Sequence, residues 1–174
     1  MGAPGAISVN GSQGTLNFSL INNTLSNNHR GILIGGRPDL GAVVSGTVAN
    51  NIVANSLLAG ISLDTEFEPT VTNSYNLFFN NPYDWFTPGP GTLFVDPQFV
   101  GGGNYRLQLF SPAVNAASNG LVPSGISTDL DGNARIVCFA DMGAYERTTV
   151  GDCSPPVVSP VPQPPSPPPS GMDR

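Results

Sequence analysis

The sequence repeats itself, and the period leaves few folds open. A phrase of the form Asn-x-apolar-x-Asn occurs as Asn23-Thr24-Leu25-Ser26-Asn27, Asn51-Ile52-Val53-Ala54-Asn55 and Asn76-Leu77-Phe78-Phe79-Asn80, at steps of 28 and 25 residues. Two further phrases travel with it. Leu16-Asn17-Phe18-Ser19-Leu20 is mirrored by Val44-Ser45-Gly46-Thr47-Val48, and Gly31-Ile32-Leu33-Ile34 by Gly60-Ile61-Ser62-Leu63. A single repeat of this size cannot bury its own apolar face, so neighbouring repeats must stack to make a core. The phrases are short and apolar or alternating, and Asn and Gly separate them, which reads as about three strands per repeat.

No segment carries an amphipathic run of helical length. Three strands per repeat are too few for a propeller blade and too many for a leucine-rich repeat. The pattern predicts an all-β chain, a right-handed parallel β-helix whose coils stack at ~4.8 Å, the ordinary spacing of paired strands. Equivalent residues then lie above one another, so the repeated asparagines should form amide ladders. Asn also tolerates the left-handed backbone that tight corners need, and Gly31 and Gly60 read as serving the same purpose. Around Glu66 the regularity fades into the aromatic stretch Tyr75–Phe86 and the turn-rich Thr87-Pro88-Gly89-Pro90-Gly91. From Cys153 onward Pro, Ser and Val dominate. Such a segment cannot bury a core and is expected to be a disordered, extended spacer.

Charge excludes some functions. Twelve acidic residues face six basic ones, all Arg, giving a net charge of −6 and a pI near 4.3. A chain so poor in cations cannot neutralise a row of phosphates or dock on an anionic bilayer. No apolar run reaches the ~18 residues that span a membrane. Met1-Gly2-Ala3-Pro4-Gly5 has neither the basic nor the apolar part of a signal peptide, and the chain reads as a fragment that starts in mid-repeat.

Beyond the repeats comes an ordered string: Phe94-Val95-Asp96-Pro97-Gln98-Phe99, Asn104-Tyr105-Arg106-Leu107, Ser111-Pro112-Ala113-Val114-Asn115-Ala116, Thr128-Asp129-Leu130-Asp131-Gly132-Asn133-Ala134-Arg135, and Asp141-Met142-Gly143-Ala144-Tyr145-Glu146. It resembles the C-terminal module of secreted parallel β-helix proteins known as choice-of-anchor Q domains, with Asn115-Ala116-Ala117 departing from the Asp and Gly more usual there. The resemblance implies terminal coils closed by a capping segment, secretion or display at the cell surface, and a family whose functions are mostly unassigned. The expected organisation is coils over residues 1–92, an irregular C-terminal cap over 93–148 and a Pro-rich tail over 149–174.

Several residues are candidates for chemistry, each with a plainer alternative. Asp129, Asp131 and Asn133 put oxygens at alternate positions before a turn, as calcium loops do, but without the downstream bidentate Glu. The alternative is a self-bonded turn with Arg135 paired to Glu146 or Asp141. Tyr83 and Trp85 could stack on sugar rings, or the aromatic stretch could plug an end of the stack. Asp64, Glu66 and Glu68 alternate, so on a strand they would share one face and could form an acid–base set. His29 reads as a corner residue. Cys138 and Cys153 are a candidate disulfide if the compartment is oxidising. Asn10, Asn17 and Asn22 head N-glycosylation sequons.

The expected function is a non-catalytic secreted or cell-surface module, structural or adhesive, with polysaccharide or cell-wall glycan and further coils of a longer parent chain as partners. No cofactor is expected beyond the candidate calcium. The alternative is a carbohydrate-active enzyme, a polysaccharide lyase or glycoside hydrolase. Ice binding ranks last, because Thr70-Val71-Thr72 is a lone Thr-x-Thr.

Overall fold

The computed structural model describes residues 5–63, 69–84, 86–148 and Cys153. The described chain is all-β. Its first nine strands are β1 (Ile7–Gly11), β2 (Gly14–Ile21), β3 (Thr24–Ser26), β4 (Arg30–Gly36), β5 (Ala42–Ala49), β6 (Ile52–Ala54), β7 (Ala59–Leu63), β8 (Thr70–Ser74) and β9 (Leu77–Phe79). They deal themselves in strict rotation into three parallel sheets: a first of β1-β4-β7, a second of β2-β5-β8 and a third of β3-β6-β9. Register follows the repeated phrases, with Leu16 beside Val44, Leu20 beside Val48, and Ile32 beside Ile61.

Alternation decides what fills the middle. Ile32, Ile34 and Ile61 from the first sheet, Val44 and Val48 from the second, and Val53 and Phe78 from the third form one buried cluster. All three sheets therefore share a core of β-branched and aromatic side chains, the types that fit a pleated surface. Burying each is worth about 1.5–3 kcal/mol.

The corners are written in asparagine. Asn22, Asn50 and Tyr75 occupy one corner in successive rounds, at φ 57°, 57° and 53°. Asn27, Asn55 and Asn80 occupy another, at φ 60°, 56° and 51°. A short carboxamide tolerates this left-handed backbone, whereas Tyr75 adopts it at a cost. The unequal repeat step also has a local cause. Gly11 to Gly14 joins β1 to β2, while the equivalent Gly36 to Ala42 contains the extra single-turn helix Pro38–Leu40. Gly31 and Gly60 need another explanation than the corner role expected of them. Both lack room for a side chain: a Cβ on Gly31 would meet Val53 Cγ1 at 2.4 Å and the Gly60 carbonyl oxygen at 2.5 Å, and one on Gly60 would run into the side chains of Asp84 and Asn81.

The segment after β9 does two things. Strand β10 (Leu93–Phe94) first pairs parallel to β9 and extends the third sheet. Phe86 and Phe94 pack on Phe78, with ring centroids 4.7 and 5.9 Å away, and close that end of the core. The chain then turns back along the outer face of the third sheet. An antiparallel pair, β11 (Phe99–Gly101) and β12 (Asn104–Leu107), is followed by irregular structure to residue 148. The reason is on the sheet: Ile52, Ala54 and Leu77 point outward and need cover, which Leu107, Ala113, Ala117, Ala140 and Met142 supply. The string read as an end cap is thus also a side cover. Cys138 and Cys153 are joined by a disulfide. Among the described residues no helix is long and apolar enough to cross a membrane.

Candidate functional site

The titratable residues of the C-terminal string are tied to one another. Asp129 accepts hydrogen bonds from the amides of Asp131 (3.0 Å), Asn133 (2.7 Å) and Glu146 (2.7 Å) and from the Asn133 side chain (3.2 Å). Burial alone would raise its carboxyl, but these four donors hold it below the usual carboxylate range. Asp131 pairs instead with Arg106, whose guanidinium also lies 4.8 Å from the centre of the Tyr145 ring. Asp129, Asp131 and Asn133 therefore sit close together, but both carboxylates and the Asn133 side-chain nitrogen are committed to protein partners. No cluster of three or more His, Cys, Asp or Glu side chains able to hold a metal occurs among the described residues.

Arg135 is the centre of the second knot. It is 2% exposed, ion-paired to Glu146, and donates to the carbonyls of Asp141 (2.8 Å) and Gly143 (3.0 Å). Asp141 accepts from the amides of Asn115 (2.7 Å) and Arg147 (2.6 Å). Burial pushes the Asp141 carboxyl up against the pull of those amides. Burial first, and the Asp141 charge second, push Glu146 the same way, with Arg135 opposing. These groups are enclosed, and each holds its neighbour. They fasten the string to the third sheet, where Gly143 donates to the Asn50 carbonyl (2.8 Å) and Ala144 to Thr24 Oγ1 (2.9 Å). Gly143 has φ +90°, and a Cβ there would lie 2.6 Å from Thr24 Oγ1. Only glycine meets both demands.

The remaining candidates scatter. Asp64, Glu66, Glu68 and Trp85, with the expected Pro-rich tail, lie outside the described residues apart from Cys153. Tyr83 is half-buried, and its backbone extends the first sheet: it bridges to Ala59 and its carbonyl accepts from the Gly60 amide (2.9 Å). Asp84, beside it, is the one described carboxylate with a large upward shift and no ion pair. Burial raises it to about 7, partly offset by the amides of Ile61 and Gly60 and by Asn81. Asn22 is no longer a free sequon, since its side-chain nitrogen donates to the carbonyls of Asp141 and Gly143 (3.3 and 3.5 Å), while Asn10 and Asn17 are exposed.

The surface that sequence reasoning passed over is the outer face of the second sheet. Alternation in β2, β5 and β8 turns Asn17 and Ser19, Ser45 and Thr47, and Thr70 and Thr72 outward. Register sets Asn17 beside Ser45 beside Thr70, and Ser19 beside Thr47 beside Thr72. The Ser45 hydroxyl donates to Asn17 Oδ1 at 2.5 Å, so the first column is bonded across strands. Two columns of hydroxyl and amide groups result, ~4.8 Å apart between strands, with no charged residue in any of the three strands. Thr70 and Thr72 alone had drawn notice; aligning them with Asn17-x-Ser19 and Ser45-x-Thr47 was the signal that would have found the rest. No family model matches this chain, and no curated protein or solved structure is similar to it.

Proposed function

We propose that the chain is the terminal part of a right-handed parallel β-helix, closed by a choice-of-anchor Q-type segment. It acts at the cell surface or outside the cell as a structural and adhesive module without catalysis. The observation that carries this reading is the outer face of the second sheet: rigid, in register, uncharged, and presenting hydroxyl and amide groups to solvent. Such groups exchange hydrogen bonds with neutral polyhydroxyl ligands, and a face held by a sheet loses little freedom on binding. The buried acids support the same reading, because Asp129, Asp141 and Glu146 face inward and serve the fold.

The test is retention on insoluble neutral polysaccharides of plant and algal walls, with wild-type chain and a Ser45→Glu/Thr47→Glu double variant. Both positions point outward, so the variant should fold, its melting midpoint lowered only by the loss of the Ser45–Asn17 bond. Its retention should fall at least tenfold, and no new reducing or unsaturated sugar ends should form. Equal retention by the variant would remove the second sheet from the reading.

One observation favours the carbohydrate-active alternative. Asp84 carries a carboxyl raised to about 7, the range in which a general acid works. Release of sugar ends that Asp84→Asn abolishes would replace the adhesive reading with the catalytic one.

A further inference from the structure

The two ends of the stack differ in chemistry. At one end two of the three sheets are extended, Tyr83 adding to β7 and β10 to β9, and past the end of β8 Pro90 accepts from the Tyr75 amide (2.8 Å). Phe86 and Phe94 seal the core between them. At the other end β1, β2 and β3 each have, among the described residues, a strand neighbour on one side only. Their inward residues Val9, Leu16, Phe18, Leu20 and Leu25 are only partly buried, whereas Val44, Val48 and Val53, one round further in, are 2% exposed or less.

An asparagine ladder gives this end a direction. Asn51 Oδ1 accepts from the Asn23 amide (2.8 Å) and side chain (2.9 Å), and Asn76 Oδ1 accepts from the Asn51 amide (2.9 Å) and side chain (2.9 Å). In every step the donor belongs to the earlier round and the acceptor to the later one. Asn23 Oδ1 is the top acceptor, and among the described residues nothing donates to it.

We infer that the β1-β2-β3 end is an interface for one further three-strand round of the same polypeptide, running parallel and carrying an asparagine that donates to Asn23 Oδ1. This rests on the reading of the stack as a β-helix and is independent of what the second sheet binds. The ladder also argues against a second copy as the occupant. Two copies meeting through this end would run antiparallel and oppose two acceptors, and at the other end of a copy the first and third sheets are already extended by Tyr83 and β10. The unpaired strand edges and half-exposed apolar side chains are the features that a paired round satisfies.

The test replaces residues 1–6 with a copy of residues 32–60, which keeps the register because Ile7 and Ile61 both pair with Ile32. The added round should raise the melting midpoint by roughly 5 °C or more and slow amide exchange in β1, β2 and β3 at least tenfold. Alanine in place of the copied Asn51 should remove about half of the gain in midpoint, and a scrambled copy should give none. In the extended chain, Asn23→Ala should also lower the midpoint more than it does in the original chain. No gain in midpoint, unchanged exchange, or an extended chain that does not fold would overturn the inference. So would a dimer of the original chain whose β1–β3 amides become protected as concentration rises. Loss of polysaccharide retention with the gain in midpoint intact would sink only the adhesive reading.

Discussion

Asn51 is the side chain whose removal tests the ladder most directly. It is fully buried and makes four side-chain bonds: two accepted from Asn23, and two donated, to Asn76 Oδ1 (2.9 Å) and the Leu20 carbonyl (2.8 Å). In Asn51→Ala some partners keep other bonds. Asn23 Nδ2 still reaches the Ile21 carbonyl, and Asn76 Oδ1 still accepts from the Asn51 amide. The Asn23 amide is left with an unmet bond, while the Leu20 carbonyl loses one donor and keeps its ladder bond to β5. The stranded amide costs about 2 kcal/mol, the lost second bond about 1 and the lost volume about 1, for a total of about 4 kcal/mol. Asn23→Ala, at the open end, strands no buried amide and should cost about 1 kcal/mol.

An isosteric variant separates bonding from packing. Asn51→Asp keeps the shape and the acceptor but turns both donations into contacts between acceptors. Burial raises the folded pKa of the new carboxyl above its unfolded value of about 4. Its protonated form is therefore the one the fold tolerates. Relative to wild type, stability should be nearly kept below pH 4 and lost as pH rises through the folded pKa, by about 4 kcal/mol for a shift of about three units. Urea unfolding followed by circular dichroism at pH 4 and pH 8 gives both numbers, provided the m-values agree. A loss below 1 kcal/mol for Asn51→Ala, equality with Asn23→Ala, or a pH-independent Asn51→Asp would refute the ladder as a source of stability.

Three further outcomes follow from the other contacts. Arg135→Met should cost about 3–5 kcal/mol, since it leaves Glu146 and two backbone carbonyls buried without their partner, and Arg135→Lys should rescue little because one ammonium cannot reach all three; chemical denaturation measures both. Asp84 is raised from 3.8 to about 7, so its contribution is complete below pH 4 and fades as pH rises toward 7, on the order of 2 kcal/mol after discounting for partial exposure; Asp84→Asn should flatten that part of the stability–pH curve. Reduction of the Cys138–Cys153 disulfide, which spans 15 residues, should lower stability by about 3 kcal/mol, read as a lower melting midpoint in reductant.

The sequence by itself determined the unit and its register. A side chain that recurs in the same phrase of each repeat must lie over its predecessor if the repeats stack, so the alignment of Asn23, Asn51 and Asn76 is legible in the sequence. Corner asparagines were legible for the same reason, since left-handed backbone restricts the residue types that can occupy it. What the sequence could not decide was everything set by contact between distant segments. Gly31 and Gly60 look like turn residues in one dimension; only the stacked rounds reveal that they lack a side chain because the next round leaves no room, through Val53 and the Gly60 carbonyl at Gly31 and through Asn81 and Asp84 at Gly60. Asp129, Asp131 and Asn133 have the spacing of a metal loop, and it took Glu146 and Arg106, brought in by tertiary folding, to show where their bonds go. The uncharged face was written in three short phrases, Asn17-x-Ser19, Ser45-x-Thr47 and Thr70-x-Thr72, that share only a Thr between the last two at the same position. It exists because parallel pairing, with a period of two along each strand, brings six unremarkable side chains into two columns.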